Sequence, residues 1–459
     1  MNLKSILIAC GLVLLMTLGA RANNMLVQNV TTLGNDAVNK TIQVQFDISW
    51  DNSWRDDINY DAAWIFMKFK DASGVWQHAQ LNQTGFVNGT GTANTVQVTN
   101  DKVGSWLYRS GLGSGTFNST AMQLQWNYGL AGLTNVTGLE VRVFAVEMVY
   151  VPEGEFNMAT DCYVKSSGYS SQQFSTAPGA NFIVINNRLS PNLSFSGPLG
   201  GNTIRIKGDV GIDSNADGII DSPNSVTGYH AFYANKYELT EAQYADYLNT
   251  LTNTQVSNIG IAGSSITNSG GQYFSSNPNR ACGNSTNYRL LSFADWSGFR
   301  PISFYEFNKI SYGPLQPVLA TAGSGRGFPA WGGGINQAST YPITGAGNEP
   351  APAGNCAAPG NSIFLYRVGL FGATSVPTRQ STGSGYYGSM DLTGNASEPV
   401  MAVSAIEFSR LIHGDGILSN NGSTDQVNWS SSIHWVEQWR NFSNDFIQFR
   451  GFRFVRSAE

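Results

Sequence analysis

The sequence predicts an α+β protein in which an all-β sandwich, residues 23–147, precedes a mixed region of strands and short helices, residues 148–459. The first region repeatedly alternates apolar and polar residues with a period of two, which is typical of strands with one buried face. The second region contains two capping boxes, at Thr240 and at Ser303, and each predicts the start of a helix.

The composition favours an extracellular protein rich in strands and loops. Of the 459 residues, 12% are charged and 41% are hydrophobic, whereas charged residues make up about 25% of an average domain. Glycine is abundant, with 51 residues. The formal net charge is -5 and no cluster of lysines or arginines occurs, so nucleic acid is not an expected partner.

The N-terminus has the features of a secretory signal peptide over residues 1–22. Lys4 is followed by a mostly apolar run at 6–18, and an A-x-A cleavage site ends at Ala22. The run is too short for a membrane span. Residues 7–10 also resemble a lipoprotein box ending at Cys10, but most of the apolar run follows that cysteine. We therefore expect a secreted or cell-surface protein cleaved after Ala22, in preference to a lipid anchor at Cys10.

Four segments carry the strand prediction of the first region. They are residues 42–50, 63–69, 121–126 and 139–146, separated by clusters of Gly, Asn and Asp. The tryptophans of this region allow two interpretations, a carbohydrate-binding face or the core of a small sandwich, and the core is the more common arrangement. The residues concerned are Trp50, Trp54, Trp64 and Trp76.

A candidate calcium loop lies within a Gly/Ser/Asn-rich insertion at about 160–228. The spacing D-x-N-x-D-G-x-I-D supplies oxygen ligands at positions one, three, five, seven (a backbone carbonyl) and nine of an EF-hand-type loop. The twelfth position is Asn224 rather than glutamate and no flanking helices are evident, so an isolated loop is expected. The alternative is an Asp-rich surface turn. The candidate ligands are Asp213, Asn215, Asp217, Ile219 and Asp221.

A second candidate cation site lies at 385–399. Asp391 and Glu398 bracket a turn at Gly394, and hard cations such as calcium take carboxylate and backbone oxygens on tight loops of this kind. The alternative is a turn in which Asp and Asn side chains bond their own backbone.

Five segments in order resemble the formylglycine-generating enzyme (sulfatase-modifying factor) domain over about 310 residues. They are 149–158 (VYVPEGEFNM), 236–244 (KYELTEAQY), 300–303 (RPIS), 387–398 (YGSMDLTGNASE) and 451–456 (GFRFVR). The preceding strands resemble the sandwich that often accompanies this domain in secreted proteins of the Bacteroidetes type.

The resemblance implies a C-type-lectin-like fold for the second region and a bound calcium ion. Carried over by position, the calcium ligands would be the side chains of Asp391 and Glu398 and the carbonyls of Gly394 and Ala396. One departure lies inside the motif, where Ser397 replaces the family's tryptophan.

The resemblance does not carry the family's chemistry across. The oxidase uses two cysteines five residues apart before the closing motif, yet residues 427–449 contain none. Cys162, Cys282 and Cys356 match no motif position, and the four histidines are too scattered for the iron site of a related branch. Copper is therefore not expected, because copper needs its thiolate ligands in place.

The sequence thus predicts a non-catalytic, calcium-stabilised module for binding or surface assembly. Its partner would be an extracellular glycan, a peptide or a surface protein, and function would lie on loops held by the scaffold. The alternative is a formylglycine-generating oxidase acting on a cysteine of a sulfatase-type substrate. Candidate contact residues are Tyr386, Tyr387, Trp435 and Trp439.

Overall fold

The computed structural model describes three long stretches of the chain, residues 24–159, 227–316 and 378–396. Shorter described stretches are 173–175, 182–185, 194–196, 329–332, 337–338, 354–357, 365–373, 398 and 451–458. Within these residues no helix is long and apolar enough to cross a membrane.

Strands dominate the described residues and helices are few and short. The strands are β1 (Leu26–Asp36), β2 (Thr41–Arg55), β3 (Asp61–Lys70), β4 (Trp76–His78), β5 (Thr90–Gly91), β6 (Asn94–Val98), β7 (Gly104–Arg109), β8 (Gly113–Asn127), β9 (Val141–Val151), β10 (Phe156–Ala159), β11 (Gln173–Ser175), β12 (Phe182–Ile185), β13 (Ser194–Ser196), β14 (Phe232–Asn235), β15 (Ile266–Ser269), β16 (Gln272–Ser275), β17 (Arg300–Pro301), β18 (Gln337–Ala338), β19 (Cys356–Ala357) and β20 (Phe454–Ser457). The helices are α1 (Glu241–Leu248), α2 (Asn253–Ile259), α3 (Asn287–Ser297), α4 (Phe304–Tyr312) and α5 (Arg379–Thr382), with a 3₁₀-helix at Leu370–Ala373. The β-rich α+β architecture predicted from the sequence is confirmed.

Two sheets form the framework. The smaller has the order β1-β2-β8-β5, and the larger has the order β17-β20-β14-β9-β3-β7-β6 with β4 added to β3. The predicted boundary between residues 147 and 148 falls inside β9, which pairs with β3 on one side and with β14 on the other. One sheet therefore combines strands from both sides of that boundary.

The first core lies between the two sheets. Its members from β2 and β8 follow the period-two pattern, because alternate residues of each strand point inward. Trp50 stacks on Phe117 with ring centroids 3.9 Å apart, and Trp126 packs on Phe69 at 4.8 Å. Burial of these rings accounts for a large apolar area.

The second core lies on the opposite face of the larger sheet, beneath α1 and α3. Strand β3 is therefore buried on both faces from Asp61 to Phe69. Trp64 belongs to this core, with Trp106 at 4.7 Å. Both predicted capping boxes are present, at Thr240 for α1 and at Ser303 for α4.

One face of α1 is apolar and packs into the protein. Tyr244, Tyr247 and Leu248 are buried in the second core and Leu251 packs against it. The helix thus covers the sheet that its preceding strand, β14, joins.

The four tryptophans proposed as a carbohydrate face do not share one surface. Trp50 and Trp64 are buried, and they lie in the first and second cores respectively. Trp54 is half-buried against a third cluster near α4. The members of this cluster are Val149, Val151, Phe232, Ala234, Ile302, Phe307, Ile310, Ala330, Trp331, Tyr387, Leu392 and Val455. Trp76 is half-buried beneath the Arg142 guanidinium, 4.5 Å from its ring centroid. The core interpretation therefore applies to Trp50 and Trp64.

Candidate functional site

The loop at 385–398 is tightly wound and buried. Gly388 and Gly394 have φ values of 92° and 104°, and Asp391 and Asn395 have φ values of 60° and 56°. Left-handed backbone is unfavourable for most residues, and Asp and Asn tolerate it best. The sequence thus places compatible residue types where the chain turns, and buried hydrogen bonds hold the turns in place.

Asn395 connects the loop to the segment after β14. Its Oδ1 accepts the Tyr366 N–H at 2.9 Å, and its Nδ2 donates to Glu238. The Ala396 N–H donates to the other Glu238 oxygen at 2.9 Å. Met390 N–H also donates to the Lys236 carbonyl at 2.8 Å. Residues from two motif segments therefore form one hydrogen-bonded unit.

Arg453, from the closing motif, binds the loop from the other side. Its Nε donates to Glu398 Oε1 at 2.6 Å, its Nη1 to the Asn235 carbonyl at 3.0 Å and its Nη2 to the Met390 carbonyl at 2.8 Å. The Arg453 and Glu398 side chains are 0% and 1% exposed. Such a charge-assisted, fully buried pair fixes the geometry of the groups it joins.

Negative charge exceeds positive charge in this cluster. Three buried carboxyl groups, Glu238, Asp391 and Glu398, face two buried cations, Arg453 and Arg367. Burial raises the pKa of Glu398 to about 7 against the attraction of Arg453. Burial, with the neighbouring Asp391 carboxylate, raises the pKa of Glu238 well above its ordinary value. The cluster thus favours a proton or a further cation.

A second buried ion cluster surrounds Lys236. Its Nζ lies 2.5 Å from Glu147 Oε1, 3.1 Å from Asp61 Oδ2 and 2.9 Å from the Asn52 carbonyl. The ammonium also lies 4.7 Å from the centre of the Trp54 ring. Burial alone would lower the pKa of Lys236, but the Glu147 carboxylate raises it above its ordinary value.

Asp61 and Glu147, the two acids of this cluster, differ in the number of hydrogen bonds that they accept. Asp61 also accepts hydrogen bonds from Trp50 Nε1, Ser53 Oγ and the Trp54 N–H, each at 2.9 Å. Glu147 Oε2 has no partner among the described residues. Burial accordingly raises the pKa of Glu147 to about 7. Lys236 therefore stabilises the carboxyl groups that strands β3 and β9 bring together.

The loop has the donor chemistry that calcium takes. Asp391 and Glu398 supply carboxylate oxygens near a surplus of negative charge, and Gly394 and Ala396 lie between them in the turn. Asp391 Oδ2 accepts the Gly369 N–H at 2.5 Å, so that oxygen already has one donor. Among the described residues no three His, Cys, Asp or Glu side chains are grouped to hold a metal ion. A calcium ion here would therefore need the backbone carbonyls as well as the two side chains.

The candidate contact residues differ in how deeply they are buried. Tyr387 is 5% exposed and packs in the third cluster, so its ring does not face a partner. Its carbonyl instead accepts a hydrogen bond from Asn59 Nδ2 at 2.7 Å. Tyr386 is half-buried beneath the Arg379 guanidinium, 5.4 Å from its ring centroid. Outside the described residues lie Trp435, Trp439 and the candidate calcium ligands Asp213, Asn215, Asp217, Ile219 and Asp221.

The thiol of Cys282 is buried, and its surroundings disfavour the reactive thiolate. It is 0% exposed in the second core, and burial raises its pKa well above the ordinary value. A nucleophilic or metal-binding cysteine needs an accessible thiolate. Cys162 lies outside the described residues, and the side chain of Cys356 is not described.

Sequence reasoning missed Asp61 and Glu147. Both are ionisable residues within otherwise apolar stretches, Asp61 just before AAWIFM and Glu147 inside VFAVEMVYV. A carboxyl group buried in such a strand needs a partner. An acidic residue in an apolar strand therefore indicates a buried ion pair or hydrogen-bond network. The identity of the partner, Lys236, was not available locally.

The resemblance of the five motif segments is the basis for any functional assignment of this chain. No protein-family model, no curated protein and no solved structure matches the chain.

Proposed function

We propose that the chain is a secreted, non-catalytic protein of the formylglycine-generating-enzyme type, with a C-type-lectin-like second region. It would serve as a calcium-stabilised module for binding or for assembly at the cell surface. The partner would be an extracellular glycan, a peptide or another surface protein.

The observation that supports this proposal most is the inward orientation of the motif residues. Lys236, Glu238, Asp391, Glu398 and Arg453 are each at most 7% exposed, and their polar contacts are with buried side chains and backbone groups of the protein. Groups that act on a substrate must reach it. Buried, mutually paired groups instead hold loops in position, and binding residues on rigidly held loops are a common arrangement.

The alternative function is oxidation of a cysteine in a sulfatase-type substrate to formylglycine. We expect the purified mature protein to leave a cysteine-containing sulfatase peptide unchanged, because the paired cysteines are missing and the Cys282 thiol is buried. Mass spectrometry of the peptide after incubation with copper and oxygen measures this. Conversion of the cysteine to an aldehyde would refute the non-catalytic proposal.

The calcium proposal predicts a metal-dependent stability. We expect calcium to raise the melting temperature of the mature protein, because an ion that binds only the native state stabilises it by mass action. Asp391→Asn should reduce that rise. The asparagine Oδ1 can still accept the Gly369 N–H that Asp391 accepts at 2.5 Å, so the variant removes mainly the charge.

Differential scanning calorimetry with calcium and with chelator provides the measurement. Asp57→Asn, at an exposed acid on a turn of the first region, should keep the full calcium response. An identical melting temperature of the unmodified protein in calcium and in chelator would contradict calcium binding. A full calcium response in Asp391→Asn would move the ion away from this loop.

Cross-linking on intact cells separates a binder from an assembly subunit. Capture of surface glycans or a soluble peptide favours a binder. Recovery of a ring or filament with fixed stoichiometry favours an assembly subunit.

A further inference from the structure

A groove of about 560 Å³ runs beside β9, and none of its lining residues belongs to the loop at 385–398. Strand β1 forms one wall, with Val27 and Val30, and Met25 extends that wall just before the strand. Helices α1 and α3 form the other, with Gln243 and Asp246 of α1 and with Phe293 and Trp296 of α3. The floor consists of residues 141–146 of β9.

Among the residues that the structure describes, no strand pairs with the edge that forms the floor of this groove. Tyr150 N–H donates to the Tyr60 carbonyl at 2.9 Å. In an antiparallel ladder the backbone groups of successive residues alternate between the two edges. The even-numbered residues of β9 therefore bond β3, and Val141, Val143 and Ala145 direct their N–H and C=O groups into the groove.

Strand β14 does not cover these groups. Its pairing with β9 spans Met148 to Val151, and one further bond joins the Lys236 N–H to the Glu147 carbonyl at 3.0 Å. Beyond that point, among the residues described, no backbone hydrogen bond reaches this side of β9. An unpaired edge is a template for another strand.

The two walls of the groove differ in chemistry. Met25, Val27 and Val30 on the β1 side are half-buried apolar residues packed on the first core. Asp246 on the α1 side is solvent-accessible, although protein surrounds it closely enough to raise its pKa to about 6. Asp246 forms no ion pair among the described residues. The Arg142 guanidinium also lines the groove and acts to lower the pKa of Asp246, but its hydrogen-bonded partner is Glu140, at 2.7 Å.

We propose that this groove docks an extended peptide segment of a partner protein, which adds as a strand to the free edge of β9. Side chains of such a strand alternate between the two walls. Those facing β1 would be apolar, and one facing α1 would be basic, opposite Asp246. The edge from Val141 to Ala145 accommodates about five residues at roughly 3.4 Å per residue.

A peptide fits better than a second copy of this chain. Strand β1 and helix α1 flank the edge on both sides, so a single strand can enter between them. The edge of a second folded sheet would bring its own covering layers into collision with these walls. The inference rests on the proposed binding role and names the class of partner.

The test uses two capped seven-residue peptides with the full mature protein at pH 7.5. In one, valine alternates with lysine, and in the other, valine alternates with glutamate. Isothermal titration calorimetry should show the lysine peptide binding at least about tenfold more tightly, because like charges oppose Asp246 in the glutamate peptide. Absence of measurable binding by the lysine peptide, or equal affinity for both peptides, would overturn the proposal.

Two further variants separate strand addition from simple charge attraction. N-methylation of the lysine peptide at the residues whose N–H groups face β9 should weaken binding at least about tenfold, while methylation at the alternate residues should not. Asp246→Asn should reduce the preference for lysine to about twofold, and Asp57→Asn should leave it unchanged. Equal effects of both methylation patterns would refute the strand geometry.

The size of the free protein provides a final check. Concentration-dependent dimers that the lysine peptide dissociates would assign the edge to a second copy and refute a peptide partner. If the peptides fail to bind while the cysteine peptide also remains unoxidised, the docking surface is lost but the non-catalytic role stands.

Discussion

Replacing Arg453 with methionine should destabilise the protein by about 3–5 kcal/mol, because it leaves a buried carboxylate without its partner. Arg453 pairs with Glu398 at 2.6 Å and both side chains are almost fully buried. The same guanidinium bonds the carbonyls of Asn235 and Met390. Urea denaturation followed by tryptophan fluorescence measures the loss.

The pH dependence gives this prediction a second readout. Burial raises the pKa of Glu398 to about 7 in the native state, and removing Arg453 should raise it further. When the native pKa of a carboxyl group exceeds its pKa in the unfolded chain, the protein loses stability as the pH rises from the unfolded to the native pKa. The deficit of Arg453→Met relative to the unmodified protein should therefore grow as pH increases above about 7.

Two controls accompany this variant. Adding Glu398→Gln to Arg453→Met should restore part of the stability, because the uncompensated charge is gone. Arg142→Met removes an ion pair with Glu140 whose partners are 34% and 46% exposed, and exposed pairs contribute about 0–1 kcal/mol. A loss from Arg453→Met no larger than that of Arg142→Met would contradict a structural role for the buried pair.

Lys236→Met should cause a loss of similar size, about 3–5 kcal/mol, because Asp61 and Glu147 then lie buried without a cation. Asp61 keeps its three remaining donors. Glu147 keeps none among the described residues, so it should take up a proton. Adding Glu147→Gln to Lys236→Met should therefore recover more stability than adding Asp61→Asn.

The same variant tests whether the two predicted regions fold together. Lys236 belongs to the second predicted region, whereas Asp61 and Glu147 belong to the first, and β9 runs through the boundary. We expect one cooperative unfolding transition in both proteins, shifted as a whole in Lys236→Met. Two separate calorimetric transitions, with only one of them shifted, would show that the regions unfold independently.

Features encoded by short-range patterns were predictable. The alternation at 42–50 predicted β2, since a period of two places one set of side chains on the buried face. Thr240 and Ser303 predicted α1 and α4, because a capping box satisfies the free N–H groups of a helix start within four residues. The turn at Gly394 was predictable from residue types that tolerate left-handed backbone.

Features that join distant parts of the chain were not predictable. The domain boundary was inferred from a change in pattern near Glu147, yet the hydrogen bonds of β9 continue across it. Tyr387 was a candidate contact residue, but the packing of α4 and β14 buries it. An aromatic residue in a glycine-rich loop has no local feature that separates a core position from a surface position.

The sequence by itself determined the β-rich class, the two capped helices and the five motif segments. Only the tertiary structure decided that three of these segments, 236–244, 387–398 and 451–456, contribute to two buried ion clusters, in which Lys236 meets Asp61 across 175 residues and Arg453 meets Glu398 across 55. The reason is physical. Strand and helix signals arise from neighbouring residues, whereas a buried charge is stabilised by whichever opposite charge the packed sheets and loops bring within a few ångströms.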